Sequence, residues 1–131
     1  MIYLSLQQSK DIEYTGVTAI SKAIDSPKHF TAKILQLLSK AKLIDSRPGP
    51  KGGFYLPKGK EVSLTEIVRV IDGNQLFEGC VLGFRECSAK HPCPAHFKFI
   101  KVRDQIHEAL ETTNIEEMKR IVENKHGYLK L

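Results

Sequence analysis

The chain holds three cysteines, and all of them fall in one stretch, "GCVLGFRECSAKHPCPAH". Cys80, Cys87 and Cys93 form the pattern C-x6-C-x5-C, with His96 three residues after the last. Three soft thiolates and an imidazole suit zinc, or an iron–sulfur cluster with mixed ligation. Structural zinc sites favour tighter knuckles. The wider gaps here argue for a cluster, which is larger than one ion and can be wrapped by a looser loop. Pro92 and Pro94 stiffen the backbone on both sides of Cys93, and Gly79 and Gly83 permit sharp turns near Cys80. A redox disulfide between two thiols is a third chemistry, and it leaves one thiol over. Burial of all three in a core fits poorly with the polar "RECSAKH" around them. His91 is an alternative imidazole, but it sits too near Cys93 for an easy bite. His29 lies on a basic segment and reads as a surface contact, while His107 and His126 carry no pattern. No Ser/His/Asp set, phosphate-binding glycine loop or paired-carboxylate motif stands out, so the sequence does not read as an enzyme. A small metalloenzyme would have only Glu86 and His91 to offer as base. A zinc-stabilised protein-interaction module is the other reading outside gene regulation.

The elements that carry this segment follow from composition and period. At 131 residues, with 41% hydrophobic and 27% charged, the chain fits one globular domain. No apolar run is long enough to span a bilayer, so no membrane partner is expected. The start, "MIYLSLQQSKDIEY", lacks a basic n-region and its apolar run ends at Gln7, unlike a signal peptide. The expected compartment is therefore the cytoplasm, where thiols stay reduced and clustered cysteines lean toward metal or redox chemistry. Between Lys28 and Lys60 lie eight basic residues opposed only by Asp45, which gives +7 there and leaves −2 for the rest of a chain of net charge +5. Such asymmetry suits a polyanion-binding face.

The chain opens directly on apolar Met1, Ile2, Leu4 and Leu6, as if inside a helix whose first half is missing. "TAISKAIDSP" reads as a short helix capped by Thr18. Ser26 as N-cap and Pro27 at the first position predict the next helix, about Pro27 to Lys42. Its apolar face is read as Phe30, Ile34, Leu37, Leu38 and Ala41, with Lys28, His29, Lys33, Gln36 and Lys40 outside. Two short helices, the second basic outside, make a helix-turn-helix. Leu43–Arg47 and Gly53–Leu56, joined by the Pro48-Gly49-Pro50-Lys51-Gly52 turn, then predict a hairpin wing. Ser63 and Glu66 have capping-box spacing, and Gly73 is a fitting stop. A long helix from about Pro94 to Thr112 carries the stripe Phe99, Val102, Ile106, Ala109 and Leu110. The spacing fits packing on its own domain or a dimer seam, and by itself leans to the former. Asn114 caps a last helix, "IEEMKRIVENK".

"SPKHFTAKILQLLSKAKLIDSRPGPKGGFYL", "SLTEIVRVIDG" and the three-cysteine segment together resemble the bacterial winged-helix iron–sulfur regulators that include IscR and NsrR. The resemblance covers nearly the whole chain. It implies a mainly α fold with a small β-hairpin wing: a winged helix-turn-helix plus a long C-terminal dimerisation helix. It divides the chain into a DNA-binding unit at 1–75, a cluster-binding loop at 76–96, and the dimerisation and C-terminal helices at 94–131. It implies a homodimer on a pseudo-palindromic operator in double-stranded DNA, and a cluster held by Cys80, Cys87 and Cys93. His96 matches the fourth ligand of IscR-like members, which favours [2Fe-2S] over [4Fe-4S]; such clusters are labile in air. Pro27, Lys28, His29 and Lys33 would face the major groove, Arg47, Lys51 and Tyr55 the backbone or minor groove, and Thr18, Ser21 and Lys22 the phosphates. The chain departs from the family in its first cysteine gap of six residues rather than five, and in its start inside the first helix. The same dimer governed by a thiol/disulfide switch is the nearest alternative.

Overall fold

The computed structural model describes residues 1–129. Seven helices and one hairpin follow in the order α1 (Ile2–Gln8), α2 (Val17–Ala23), α3 (Lys28–Lys40), β1 (Asp45–Arg47), β2 (Gly53–Tyr55), α4 (Leu64–Asp72), α5 (Gln75–Glu78), α6 (His96–Thr112) and α7 (Ile115–Glu123). The strands pair antiparallel, with Ser46 opposite Phe54. The fold is thus mainly α with a hairpin wing, as the residues imply.

The core is a single cluster of Leu4, Ile20, Leu35, Leu38, Leu43, Ile44, Val62 and Ile115. It draws on α1, α2, α3, the wing approach and α7, so both ends of the chain close over one apolar centre. The return of α7 is fixed by backbone. Ile115 N–H donates to Val62 O at 3.0 Å, and Leu64 N–H donates to Thr113 O at 3.0 Å. Asn114 caps α7 through Oδ1, which accepts from Glu117 N–H at 2.8 Å. The capping box of α4 is present: Glu66 N–H donates to Ser63 Oγ, and Ser63 N–H donates to Glu66 Oε2 at 2.9 Å.

Three local readings need correction. Gly16, not Thr18, is the N-cap of α2, and Thr18 stands exposed in the first turn. Pro27, not Ser26, is the N-cap of α3; Ser26 N–H instead closes the preceding turn onto Ser21 O at 2.9 Å. The buried face of α3 is Thr31, Leu35 and Leu38, while Phe30 is 55% exposed and Ala41 is exposed. Thr31 can replace an apolar residue in the core because its hydroxyl donates to Pro27 O at 3.1 Å, so no polar group is left unpaired. α3 ends in a Schellman motif with Lys42 left-handed at φ 61: Leu43 N–H reaches Leu38 O and Lys42 N–H reaches Ser39 O, both at 3.0 Å.

The wing is pinned from two sides. Thr15 and Phe54 exchange backbone hydrogen bonds at 3.0 and 2.9 Å, which pairs the far edge of β2 with a third segment of chain. The Gln8 amide holds the Leu56 backbone in both directions, donating to its O at 2.8 Å and accepting from its N–H at 3.3 Å. Gly53 makes the close approach possible: at φ +152, an added Cβ would lie 2.6 Å from Thr15 O. α6 contrasts with all this. None of its described residues is buried, and Phe99, Val102 and Ile106 are 46%, 47% and 40% exposed. α6 packs on α4 and α5, yet among the described residues this stripe is left only half covered.

Gly53→Ala is expected to cost roughly 1–3 kcal/mol, since the obstacle is backbone that cannot swing away. Ser63→Ala is expected to cost about 1 kcal/mol through loss of the cap. Thermal unfolding of the two variants against the parent measures both, and a Gly53→Ala protein as stable as the parent would contradict the pinned wing.

Candidate sulfur-ligand centre and DNA-reading face

The cysteine loop runs from the end of α5 to the start of α6 and folds back on itself. Gly83 N–H donates to Cys80 O at 2.9 Å, with Gly83 at φ +76, so the chain turns directly after the first thiol. A second turn is tied by Ser88 and His91: His91 N–H donates to Ser88 Oγ, and Ser88 N–H to His91 O, each at 3.2 Å. That turn carries the chain from Cys87 back to Cys93 and leaves His91 and Glu86 exposed. Cys93 O then accepts from His96 N–H at 3.0 Å, which sets the first residue of α6 beside the thiols.

The three sulfurs lie within 4.8 Å of one another. Cys80 and Cys93 are closest, with Sγ atoms 3.6 Å apart, and all three thiols are free. Cys87 Sγ is 3.2 Å from His96 Nδ1 and accepts from Cys93 N–H at 3.4 Å. His96 Nε2 is buried and has no hydrogen-bond partner. Three convergent half-buried sulfurs form a donor set suited to a soft metal centre, and His96 turns Nδ1 toward Cys87 beside them. All four residues line one cavity of about 300 Å³, closed on its far side by α6. The donor set fits the zinc and the cluster chemistry of the sequence reading alike.

The thiols are not equivalent. Partial burial pushes Cys80 up, but the Leu82 and Phe84 backbone N–H groups and hydrogen bonds from Cys93 and Cys87 outweigh it, and its pKa falls to about 7. For Cys87 the Cys93 backbone N–H pulls downward, but burial and the adjoining Cys93 and Cys80 sulfurs prevail and hold it above the ordinary thiol value.

The loop is mechanically tied to both neighbours. Phe77 of α5 stacks on His107 of α6 at 4.9 Å, and Arg69 of α4 lies over the same ring at 5.4 Å. α4 packs in turn on α3, so the sulfur loop and the basic helix share a common support.

The basic helix presents Pro27, Lys28, His29 and Lys33 to solvent, with Thr18 and Lys22 exposed on α2 beside it. Arg47 and Lys51 are exposed on the wing. Two of the expected residues are not at the surface in this way. Ser21 is 6% exposed and its hydroxyl donates to Thr18 O at 3.1 Å. Tyr55 is half-buried and donates to Asp45 Oδ2 at 3.2 Å; burial first, and then the Asp45 carboxylate, raise its phenol above the ordinary value. Tyr14, which sequence reasoning missed, holds the wing: its ring meets Tyr55 edge-on at 5.1 Å, and Arg47 lies over it at 5.4 Å. The signal would have been an aromatic beside Thr15, had its pairing with Phe54 been known. Phe30, assigned to the core by its spacing, instead stands among the exposed residues of the helix.

A helix-turn-helix with a basic outer face, a hairpin wing and a loop of three convergent sulfurs define a winged-helix protein with a thiol centre. The sequence profile of Rrf2, described as an iron-dependent transcriptional regulator, matches residues 1–120. The chain belongs to the Rrf2 family of transcriptional regulators. An HTH-type transcriptional regulator designated in Aquifex aeolicus (strain VF5) is 31% identical over 129 residues, covering 96% of this chain and 87% of that protein. Among solved structures, T. potens IscR superposes with a TM-score of 0.70 at 18% identity, over 96% of this chain and 83% of that one. CymR, the global cysteine regulator of B. subtilis, gives 0.61 at 23% identity over 82% and 79%. Both similarities concern the fold. No helix among the described residues is long and apolar enough to cross a membrane.

In metal-free protein at pH 7, Cys80 is expected to alkylate before Cys87, because of these two the former is the more thiolate there. Timed iodoacetamide labelling with peptide mass mapping reads the order; equal rates at the two positions would contradict the asymmetry.

Proposed function

We propose that the protein is a homodimeric repressor or activator whose grip on DNA is governed by an iron–sulfur cluster at Cys80, Cys87, Cys93 and His96. The observation that carries this is the convergence of three free sulfurs within 4.8 Å beside an imidazole whose Nε2 has no partner. When bound, such a cluster supplies a link among the thiolates that oxidants or loss of iron can break. The chain's own part is to turn that into geometry. The two backbone turns deliver the thiols to one point, and His96 anchors that point to the first residue of α6. α4 and α5 brace α6 through Arg69, Phe77 and His107. Ordering of the loop therefore sets the angle at which α6 leaves the winged helix.

The stripe Phe99, Val102 and Ile106 is the seam for a second copy. Two half-buried apolar stripes satisfy one another in a two-fold dimer, which matches a pseudo-palindromic operator with two half-sites. The angle of α6 then becomes the spacing of the two α3 helices. Lys28, His29 and Lys33 enter the major groove, Phe30 offers an apolar contact beside them, Thr18 and Lys22 hold phosphates, and Arg47 and Lys51 reach the flanking backbone. Tyr55 acts from behind, by fixing the strand that carries the wing.

A second reading rests on the 3.6 Å between the Cys80 and Cys93 sulfurs. Hydrogen peroxide could oxidise this pair: each thiol gives up one proton and one electron, the S–S bond forms, the O–O bond breaks, and two waters leave. Cys87 would remain beside His96.

Protein purified without oxygen is expected to hold iron and acid-labile sulfide with visible absorbance, and Cys87→Ser is expected to lose both and change its affinity for promoter duplex. Cys87→Ser with absorbance lost and affinity unchanged would remove the coupling, while iron-free protein that still responds to peroxide would favour the disulfide. Val102→Glu is expected to give a monomer by light scattering. Lys22→Ala is expected to flatten the dependence of log affinity on log salt by about one unit.

A further inference from the structure

The cavity that holds the sulfurs also holds a guanidinium. Arg103 stands on α6 about two turns beyond His96. Its Nη1 donates to Gly79 O at 3.1 Å, the carbonyl directly before Cys80. Its Nε is buried and has no hydrogen-bond partner. Of the few buried polar side-chain atoms without a partner among the described residues, two belong to residues lining this cavity, Arg103 Nε and His96 Nε2. Buried donors are normally satisfied, so an N–H left over in such a cavity marks a place for an acceptor. Gly79 is held tightly as well: a Cβ there would lie 2.5 Å from Gln75 O, so the carbonyl that Arg103 grips is fixed by the helical turn behind it.

We infer that Arg103 is the positioning and charge-compensating residue of the sulfur centre. Nη1 fixes the Gly79–Cys80 peptide, and Nε–H with its positive charge is the partner of the anionic, sulfur-rich group that Cys80, Cys87 and Cys93 hold. The inference rests on the cluster reading and names the group that stabilises the cluster from outside its ligands. Each electron accepted adds a negative charge to an assembly already built on three thiolates. A fixed, desolvated cation favours the reduced form, since net charge and hydrogen bonds to sulfur are the protein's levers on potential. Lys98 and Lys101 also lie on α6 but are exposed, so solvent and salt screen them.

The test uses full-length protein isolated without oxygen, as parent, Arg103→Gln, Arg103→Lys and Lys101→Gln. Iron and sulfide content come first, and a parent that takes up neither overturns the cluster reading and the inference together. With clusters present, redox titration is expected to show the reduced-to-oxidised ratio at fixed potential falling about tenfold in Arg103→Gln, about 59 mV for one electron. Arg103→Lys, which keeps the charge, is expected to recover most of that shift, and Lys101→Gln to leave the potential unchanged. In metal-free protein, hydrogen–deuterium exchange over residues 79–84 is expected to quicken in Arg103→Gln and not in Lys101→Gln. A loaded Arg103→Gln protein with the parent's potential overturns the inference while leaving the cluster reading intact. An equal shift in Lys101→Gln does the same, because it reduces the effect to distant charge.

Discussion

Three sulfurs held within 4.8 Å of one another cannot all ionise without a cation among them. That constraint shapes the whole lower half of the molecule. In the metal-free chain it is met by keeping Cys87 protonated above its usual range while Cys80 is drawn down by the N–H groups of Leu82 and Phe84. A soft metal centre meets it more completely, by taking all three as thiolates. The turns at Gly83 and at Ser88–His91 hold the sulfurs together in the metal-free chain.

What such a loop can do depends on where its ends are fastened. One end follows α4 and α5, and the other is the first turn of α6. Phe77, caught between Arg69 and His107, ties the three elements, and α4 packs against the basic helix. α6 itself has no buried residue among those described and carries an apolar stripe that is only half covered by them. The winged helix, the sulfur loop and the long helix α6 are thus joined in series within a chain of the Rrf2 family of transcriptional regulators.

The reading face owes its precision to residues that do not touch DNA in the proposed complex. Thr15 clamps the wing through its backbone and Gln8 through its side-chain amide, and the Tyr14 ring meets Tyr55 edge-on and lies under Arg47. Wing tips rich in proline and glycine are mobile unless their bases are held. Here the base is fastened to α1 and to the start of α2, which leaves only the tip at Lys51 free to adapt.

Local chemistry made much of this legible in the sequence. The Ser63–Glu66 box, the Asn114 cap, the Gly73 stop and the hairpin around Pro48–Gly52 each depend on residues a few positions apart, so spacing alone determined them. The charge excess from Lys28 to Lys60 and the gathering of all thiols between Cys80 and Cys93 belong to the same class. Other features are properties of three dimensions. Whether Phe30 or Thr31 faces the core differs by one step of the helix, and the choice was made by how α3 seats Leu35 and Leu38 against Leu4, Ile20 and Ile44. The bridge from Thr15 to Phe54, the seating of α7 on α1, and the grip of Arg103 on Gly79 join residues that no local pattern connects. Sequence thus determined which groups exist and which short elements form, because those follow from propensity and near neighbours. Tertiary structure alone decided which groups meet, because burial and unpaired donors are settled only when distant segments close around them.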